Sequence, residues 1–314
     1  MQKRVISIVI PAKNEEENIL PLYKQIITSL KKVTNKYEII FIDDGSVDNT
    51  FKNMLSLRKK DKAVKIIKHR GNWGKSTALQ NGFDIAGGEI VITMDADLQD
   101  DPVEISRFIA KLDQGYDLVS GWKKHRHDAS STVIPSRILN NFLIPLLTGV
   151  KIHDTNCGFK AYKKQVTKNL NLYGELYRFI PILASKQNFK VGEIPVKHHA
   201  RIHGKSKFGW QKNYKGLLDL ITIVFLTGYL RRPAHFFGTF GFVSLGFGFI
   251  IGLYITYLRF TTGGIGYHQP LLMLGILLLM IGVQLITTGL IAEMLTNFNQ
   301  RKKSNENLID QQII

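Results

Sequence analysis

The sequence predicts an α/β protein, in which an open, mostly parallel, doubly wound sheet is followed by two membrane-spanning helices. Two observations support this prediction. The first 120 residues alternate between short apolar runs typical of strands and longer stretches typical of helices. Beyond residue 233 the chain contains two long runs without a charged side chain. We therefore expect a soluble α/β domain attached to a membrane anchor.

Five short apolar runs predict the strands of the sheet. The stretches between them are predicted to be helices that begin near Glu15, Asp48, Lys75 and Pro102. Ligands of such sheets bind beyond the carboxyl ends of the strands, where the loops converge. The predicted strands are VISIVI, YEIIFI, VKIIKH, EIVITM and YDLVSG.

Composition limits the possible functions. The 314 residues can form one full-sized core and a second region. The single cysteine, Cys157, excludes an internal disulfide, and no CxxC or Cys/His cluster indicates zinc. A formal charge of +17 favours an anionic partner such as nucleic acid, nucleotide, phospholipid headgroup or lipid phosphate. The opening MQKRVISIVIPAKNEEENI is typical of a first strand rather than of a secretory signal.

The two uncharged runs, Ala234 to Leu258 and Leu271 to Ala292, are predicted to span a membrane. About 20 apolar residues cross a bilayer core, and buried core helices seldom reach this length without a charge. The loop between the runs offers only Arg259, so both ends are predicted to be cytoplasmic, at a bacterial inner or plasma membrane. The basic residues on that side are Lys212, Lys215, Arg231, Arg232, Arg301, Lys302 and Lys303.

Glycines and shorter apolar stretches complete the predicted membrane region. The GxxxG pair Gly248 and Gly252 favours helix packing and would allow a homo-oligomer. Two stretches, 134–149 and 216–230, predict either interface helices or core helices of the soluble domain. The predicted division is a catalytic domain at 1–210, an interface helix at 211–232, two spans at 233–298 and a polar tail at 299–314.

Carboxylates follow the second and fourth predicted strands, in FIDDGS and VITMDADLQD. Asp95 and Asp97, one residue apart at the end of a strand, can chelate Mg²⁺ or Mn²⁺, which prefer oxygen ligands and share them with substrate phosphates. The alternative is a solvated turn that caps the helix near Pro102, a role we assign to Asp100 and Asp101.

Several motifs together carry a family resemblance. SIVIPAKNEEENI, FIDDGSVDNT, the DAD with its following Gln99, and the two C-terminal spans resemble the family-2 GT-A glycosyltransferases. Within these, the chain looks most like the polyprenyl-phosphate glycosyltransferases, which include dolichol-phosphate mannose synthase and bacterial undecaprenyl-phosphate glucosyltransferases. The resemblance covers nearly the whole chain, and it implies a GT-A fold.

The resemblance implies roles for matching positions. Pro11 and Glu15 would border the nucleoside, and Asp44 would accept a hydrogen bond from the base. Asp95, with Ala96, would lie near the ribose and diphosphate. The metal, Mg²⁺ or Mn²⁺, would be held by Asp97 and Gln99. One departure is that Lys13 stands where the family usually has tyrosine, which stacks on the base.

GNWGKS, Gly71 to Ser76, imitates a phosphate-binding P-loop. The G-x-x-x-x-G-K-S pattern requires glycine at position 69, which is His69, so we exclude an NTPase. Lys75 and Arg70 are then predicted either to lie near the diphosphate or to be solvated.

The second half of the soluble region is predicted to bind the acceptor. HDTNCGFKAY resembles the family's acceptor-side motif, and its Asp154 is our candidate catalytic carboxylate, with a turn residue as the alternative. The candidates for binding a lipid phosphate are Ser136, Arg137 and Arg201, supported by Lys205 and Lys207. These lysines could equally attract anionic headgroups.

The expected function is inverting transfer of glucose from UDP-glucose to undecaprenyl phosphate. Alternatives are a mannosyl or N-acetylglucosaminyl transferase acting on dolichyl or another polyprenyl phosphate, and a membrane-anchored protein that only binds nucleotide sugars. A processive polysaccharide synthase is disfavoured, because the chain has two spans and no QxxRW motif. No nucleic-acid partner is expected.

Overall fold

The computed structural model describes residues 4–124, 145, 149–199 and 233–302, with residues 296–302 as main chain only. These residues belong to two compact units, 1–223 and 224–314. The stretches predicted as interface helices lie outside the described residues, apart from positions 145 and 149.

Within the described residues of the first unit, seven strands form one mixed sheet in the order β3-β2-β1-β4-β6-β5-β7. The five predicted strands are confirmed as β1 to β5, whereas β6 and β7 were not predicted. The strands are β1 Ile6–Ala12, β2 Tyr37–Asp43, β3 Val64–Lys68, β4 Ile90–Thr93, β5 Leu118–Trp122, β6 Lys160–Lys163 and β7 Val191–Pro195.

Helices connect the strands, as the alternating pattern predicts. The first begins four residues after Glu15, because the Glu15 carbonyl first accepts hydrogen bonds from Asn18 N and Ile19 N in a turn. A short 3-10 turn, Pro102–Glu104, precedes the fourth helix. The helices of this unit are α1 Ile19–Leu30, α2 Thr50–Lys60, α3 Lys75–Ile85, α4 Ile105–Asp113, α5 Lys164–Asn169 and α6 Ile180–Lys186.

One strand runs against its neighbours. β6 pairs antiparallel with both β4 and β5, so that Ala161 lies opposite Ile92 on one side and Val119 on the other. The remaining pairs, β1 with β2 and β4, β2 with β3, and β5 with β7, are parallel. Because β6 starts at the edge where β4 ends, it brings HDTNCGFKAY beside the DAD sequence.

The second unit contains two long helices, α7 Pro233–Thr262 and α8 Gln269–Lys302, which contain both predicted spans. They are long and apolar enough to cross a membrane, with mean hydropathies of 1.9 and 2.4 over their most apolar windows. Only 11% of each window is buried, whereas a soluble protein's core helix would be mostly buried.

Glycines let α7 and α8 approach closely. A Cβ added to Gly241 would lie 2.9 Å from the Gly282 carbonyl oxygen, and one added to Gly248 would lie 2.9 Å from that of Gly275. A Cβ on Gly252 would meet no atom within 4 Å. Of the predicted GxxxG pair, only Gly248 therefore contributes to packing between these two helices.

Candidate active site

The DAD sequence follows β4 directly, and Asp95 lies between two other segments. Its Oδ1 forms an ion pair with Lys75 Nζ, at the start of α3. On its other side lies Gly158, where an added Cβ would be 2.5 Å from both Asp95 carboxylate oxygens. Glycine is therefore required for this approach. Of the two alternatives given for Lys75 and Arg70, Lys75 is ion-paired rather than merely solvated, whereas Arg70 is exposed.

Three lysines surround Asp95 and set its charge state. Burial raises the pKa of Asp95, but the charges of Lys75, Lys123 and Lys160 outweigh burial and lower that pKa to about 2. Burial lowers the pKa of Lys160 to about 8, and this ammonium group donates to the Cys157 carbonyl. Asp95 is therefore an anion at physiological pH, in strongly cationic surroundings.

Asp100 corrects one prediction. We assigned Asp100 and Asp101 to capping the helix near Pro102, and only Asp101 does so, accepting from Val103 N at 3.0 Å. Asp100 is 2% exposed and lies 3.8 Å from Lys123 Nζ. Burial raises the pKa of Asp100 although Lys123 opposes this shift. Asp100 and Asp101 were both assigned to capping, but their side chains have different surroundings. Asp101 caps the 3-10 turn, whereas Asp100 faces Lys123 in the site.

The turn after Asp95 holds the two predicted metal ligands. Leu98 has a φ of +60°, an uncommon conformation for a bulky residue, and its side chain is only 6% exposed. Gln99 N donates to Asp97 Oδ1 at 3.3 Å across this turn. The buried Leu98 side chain fixes the turn, which places both partly exposed ligands on one loop.

The donor atoms of this loop suit a hard divalent cation. Asp97 and Gln99 supply carboxylate and amide oxygens, which Mg²⁺ and Mn²⁺ prefer. The part of the chain that the structure describes contains no group of three or more His, Cys, Asp or Glu placed to hold a metal. A cation on this loop would therefore need further ligands from substrate phosphates or water.

Asp44, the predicted base acceptor, organises the loop before α3. It is 6% exposed, and it accepts from His69 Nδ1 at 2.9 Å, Trp73 N at 2.8 Å and Gly74 N at 2.9 Å. The P-loop-like amides thus bind a protein carboxylate. Asn72, with its amide oriented to suit its neighbours, connects Asp44 to Lys13 through two 2.9 Å hydrogen bonds.

The predicted nucleoside-binding residues come from the same edge of the sheet. Pro11 lies in β1, opposite Ile42 of β2. Glu15 follows β1, where its main-chain N–H donates to Thr50 Oγ1 at 2.8 Å and its side chain accepts from Asn18 at 2.6 Å. Ala96 is 4% exposed between the two aspartates of the DAD sequence.

Asp154 is buried and held in a turn. It is 1% exposed, and its Oδ1 accepts from Asn156 N at 3.1 Å, which is the turn role predicted as the alternative for this residue. Its Oδ2 accepts from Lys123 N at 3.4 Å, so it also contacts the segment that follows β5. The acceptor-phosphate candidates lie outside the described residues: Ser136, Arg137, Arg201, Lys205 and Lys207.

Several residues of the site were not singled out from the sequence. Lys123 and Lys160 are neutralising partners of the carboxylates, and Gly158 gives Asp95 its space. Trp73 is 67% exposed beside Asp44. Two features of the sequence could have indicated these residues. Gly158 is the glycine within HDTNCGFKAY, and Trp73 is the tryptophan flanked by the glycines of GNWGKS.

Residues 7–170 match the family described as "Glycosyl transferase family 2". Over 318 residues the chain is 37% identical to "Dodecaprenyl-phosphate galacturonate synthase" of Rhizobium johnstonii (strain DSM 114642 / LMG 32736 / 3841), covering all of this chain and 94% of that protein. It is 34% identical to "Undecaprenyl-phosphate 4-deoxy-4-formamido-L-arabinose transferase" of Edwardsiella ictaluri (strain 93-146), covering 92% of this chain and 87% of that one.

Among solved structures, the chain is similar to glucosyl-3-phosphoglycerate synthase from Mycobacterium tuberculosis, crystallised with Mn²⁺, uridine diphosphate and phosphoglyceric acid. The TM-score is 0.56 and the identity 20%, over 71% of this chain and 78% of that one. At this identity the similarity shows the fold. The GT-A fold is thereby confirmed.

Proposed function

This chain belongs to glycosyl transferase family 2, and from that premise we propose that it transfers a hexose from a UDP-sugar to a polyprenyl phosphate at a membrane surface. The observation that carries the proposal is the meeting of Asp95, Lys75 and Gly158 at the carboxyl end of β4. There the DAD sequence contacts the segment that resembles an acceptor-side motif. Relatives named for dodecaprenyl and undecaprenyl phosphate support a lipid phosphate acceptor.

The donor is proposed to bind over the carboxyl ends of β1, β2 and β4. Pro11, Glu15 and Asp44 would contact the nucleoside, while Asp95 and Ala96 would lie near the ribose and diphosphate. Lys75 already pairs with Asp95, so its ammonium is positioned to share its charge with a diphosphate. In the proposed complex, the Lys75 ammonium would lie where the leaving group gains negative charge.

Asp97 and Gln99 are proposed to hold Mg²⁺ or Mn²⁺. A divalent cation at this position supplies electrostatic stabilisation to the departing diphosphate. The chain's own contribution is to fix the loop through the buried Leu98 side chain and to keep Asp95 ionised through its lysine neighbours. The fixed loop reduces the reorganisation needed when substrate binds.

The proposed reaction is a single inverting displacement. A phosphate oxygen of the acceptor forms a bond to the anomeric carbon while the bond from that carbon to the diphosphate oxygen breaks, releasing UDP. A phosphate monoester has its second pKa near 6, so the nucleophile is largely ionised at neutral pH without a strong base. Orientation and charge screening between two anions are then the main requirements.

Asp154 is proposed to act at the reaction centre, next to the Lys123 main chain. If it does, Asp154→Ala should lower kcat while leaving the affinities for both substrates nearly unchanged. A variant with normal kcat and a lowered melting temperature would assign Asp154 to its turn alone.

The membrane is the proposed site of action. Helices α7 and α8 provide two candidate spans, and a polyprenyl phosphate resides in the bilayer. With both termini on the cytoplasmic side, the catalytic domain would meet cytoplasmic nucleotide sugars. The basic residues Arg137 and Arg201 are proposed to bind the lipid phosphate there.

A donor panel tests the proposal. Purified protein in detergent or nanodiscs would receive undecaprenyl phosphate and one nucleotide sugar at a time, with lipid-linked product and released nucleotide measured by mass spectrometry. UDP-glucose is the donor expected from the resemblance, and UDP-galacturonate is its main rival because of the relative named for galacturonate. UDP-N-acetylglucosamine and GDP-mannose complete the panel.

The panel also separates an enzyme from a sensor. Donor binding by calorimetry without lipid-linked product, from any donor in the panel, would contradict the proposal and favour the nucleotide-sugar-binding alternative. If product forms only with GDP-mannose, the proposed sugar transfer to a polyprenyl phosphate stands, but the proposed UDP-sugar donor is wrong.

A further inference from the structure

A histidine beside Asp154 is held in one orientation by two neighbours. The His153 ring stacks on Trp122, with ring centroids 4.3 Å apart and an angle of 19° between the planes. Its Nδ1 lies 2.9 Å from Glu193 Oε2, which also accepts from His153 N at 3.0 Å. Since Nδ1–H donates to the carboxylate, Nε2 is the nitrogen left to meet a ligand.

The supports of this ring are more buried than the ring itself. Trp122 ends β5 and Glu193 lies in β7, and these two strands pair in parallel. The Glu193 side chain is 13% exposed, whereas that of His153 is 57% exposed. Within the described part of the chain, Nε2 makes no hydrogen bond. The buried Glu193 carboxylate therefore holds the ring in place, while the Nε2 side of the imidazole remains accessible.

Glu193 also connects His153 to the proposed reaction centre. Its Oε1 accepts from Asp154 N at 3.2 Å, so one carboxylate binds the main chain of both residues. The position of the imidazole is thus tied to that of Asp154. A ligand atom at Nε2 would therefore be bound by the residue that directly precedes the one proposed to act at the anomeric carbon.

His153 is held by strands in the half of the sheet beyond β6, away from the strands that carry the proposed donor site. In the strand order, β6 separates β4 from β5 and β7, and the proposed nucleotide residues come from β1, β2 and β4. Lys123 and Lys124 directly follow Trp122, and Lys124 Nζ lies 5.9 Å from the Trp122 ring centroid. The Lys124 ammonium therefore adds a positive charge near the stacked rings, which favours an anionic ligand, whereas the Lys123 ammonium pairs with Asp100.

We propose that His153 binds the acceptor, its Nε2–H donating to an oxygen of the lipid phosphate, and that Glu193 is the positioning residue that fixes the ring. This inference rests on the proposed function. A phosphate offers only acceptors when ionised, so it matches a protonated Nε2, and the Glu193 carboxylate balances the resulting imidazolium charge. Trp122 provides the flat surface that keeps the ring from rotating.

Three variants test the inference in the full-length protein. His153→Phe retains an aromatic ring on Trp122 but has no donor, whereas His153→Gln retains an amide donor. The loss of one charge-assisted hydrogen bond should raise the acceptor KM of His153→Phe about 10- to 100-fold. His153→Gln should show a smaller increase, and Glu193→Gln should raise the acceptor KM because the ring is less firmly held. Donor affinity by calorimetry should stay unchanged in all three.

A soluble probe isolates the phosphate contact. A short-chain prenyl phosphate should inhibit the unsubstituted protein more strongly than the corresponding prenyl alcohol, and His153→Phe should lose most of that preference. An acceptor KM of His153→Phe within twofold of the unsubstituted value would overturn the inference. A loss of donor affinity in this variant as large as its loss of acceptor affinity would also overturn it. If His153→Phe does not fold, His153→Leu, which also lacks a donor, decides on the same criteria. Absence of lipid-linked product from the unsubstituted protein would instead overturn the proposed function, and the inference with it.

Discussion

Replacing Gly158 with alanine adds a single methyl group against the carboxylate of Asp95. The added Cβ would lie 2.5 Å from both carboxylate oxygens, whereas ordinary contacts begin near 3.4 Å. The Asp95 carboxylate must therefore move by about 0.9 Å, and its ion pair with Lys75 limits where it can go. A misplacement of about 1 Å can cost roughly 100-fold in rate.

We therefore expect Gly158→Ala to lower kcat/KM for the donor about 100-fold, which corresponds to about 2.7 kcal/mol of transition-state stabilisation. The melting temperature should fall modestly, because moving the Asp95 carboxylate weakens its ion pair with Lys75 while the apolar core stays intact. The matched control is Gly87→Ala, before β4 at the opposite edge of the sheet. Its added Cβ has its nearest neighbour at 3.5 Å, an ordinary contact.

The assay is the initial rate of lipid-linked sugar formation at varied donor concentration, with thermal unfolding of both variants. If Gly158→Ala keeps a rate within threefold of the unsubstituted protein at unchanged melting temperature, the position of Asp95 does not control catalysis. An equal loss of activity in Gly87→Ala would also contradict the reasoning, because that methyl group is remote from the site.

Four further predictions concern the metal, the acceptor, acid stability and topology. EDTA should abolish turnover and Mg²⁺ or Mn²⁺ restore it, and full activity of Asp97→Ala in chelator would remove Asp97 from the metal site. Arg137→Ala and Arg201→Ala should each weaken lipid acceptor binding by roughly 10- to 100-fold. Donor binding, measured by calorimetry, should stay unchanged. Loss of UDP-sugar binding would instead assign these arginines to the donor site. Asp95→Asn should lower the free energy of unfolding near pH 7 by about 2 kcal/mol, because the pKa of Asp95 falls from 3.8 to about 2 on folding. That contribution is complete above about pH 4 and is lost as the pH falls towards 2, so an equally large difference in urea unfolding at pH 2.5 would refute it. Reporters fused at the N-terminus and after Gln300 should both be cytoplasmic, and a periplasmic C-terminal reporter would remove one span.

Strands β1, β2 and β4 were predictable because each is a mainly apolar run that is buried on both faces. β6 was not, since its four residues begin and end with lysine, and Lys160 is 2% exposed inside the strand. Lysine is normally exposed, so a buried lysine is not expected from the sequence. Of its neighbours, Asp95 is distant in sequence, and Cys157 is nearby but does not indicate a buried lysine. β7 has a proline at its end and no alternating pattern that distinguishes it from a loop.

The site was predictable where residues are adjacent in sequence and unpredictable where the sheet brings them together. Asp95 and Asp97 share one turn, so their spacing alone indicates a common site. Lys123 and Gly158 reach Asp95 only because β6 inserts between β4 and β5. Asp100 was misassigned because a sequence cannot show which of two adjacent carboxylates turns inward.

The strand order also determines when the site can be completed during synthesis. β4 and β5 emerge from the ribosome before β6, yet β6 separates them in the finished sheet. At about 5 to 20 residues per second, roughly two to eight seconds separate the emergence of residues 122 and 160. During that interval β4 has no partner on one edge, and Asp95 lacks Gly158 beside it. A nascent chain arrested before residue 160 should therefore have parallel pairing among β1 to β4 but no assembled active site.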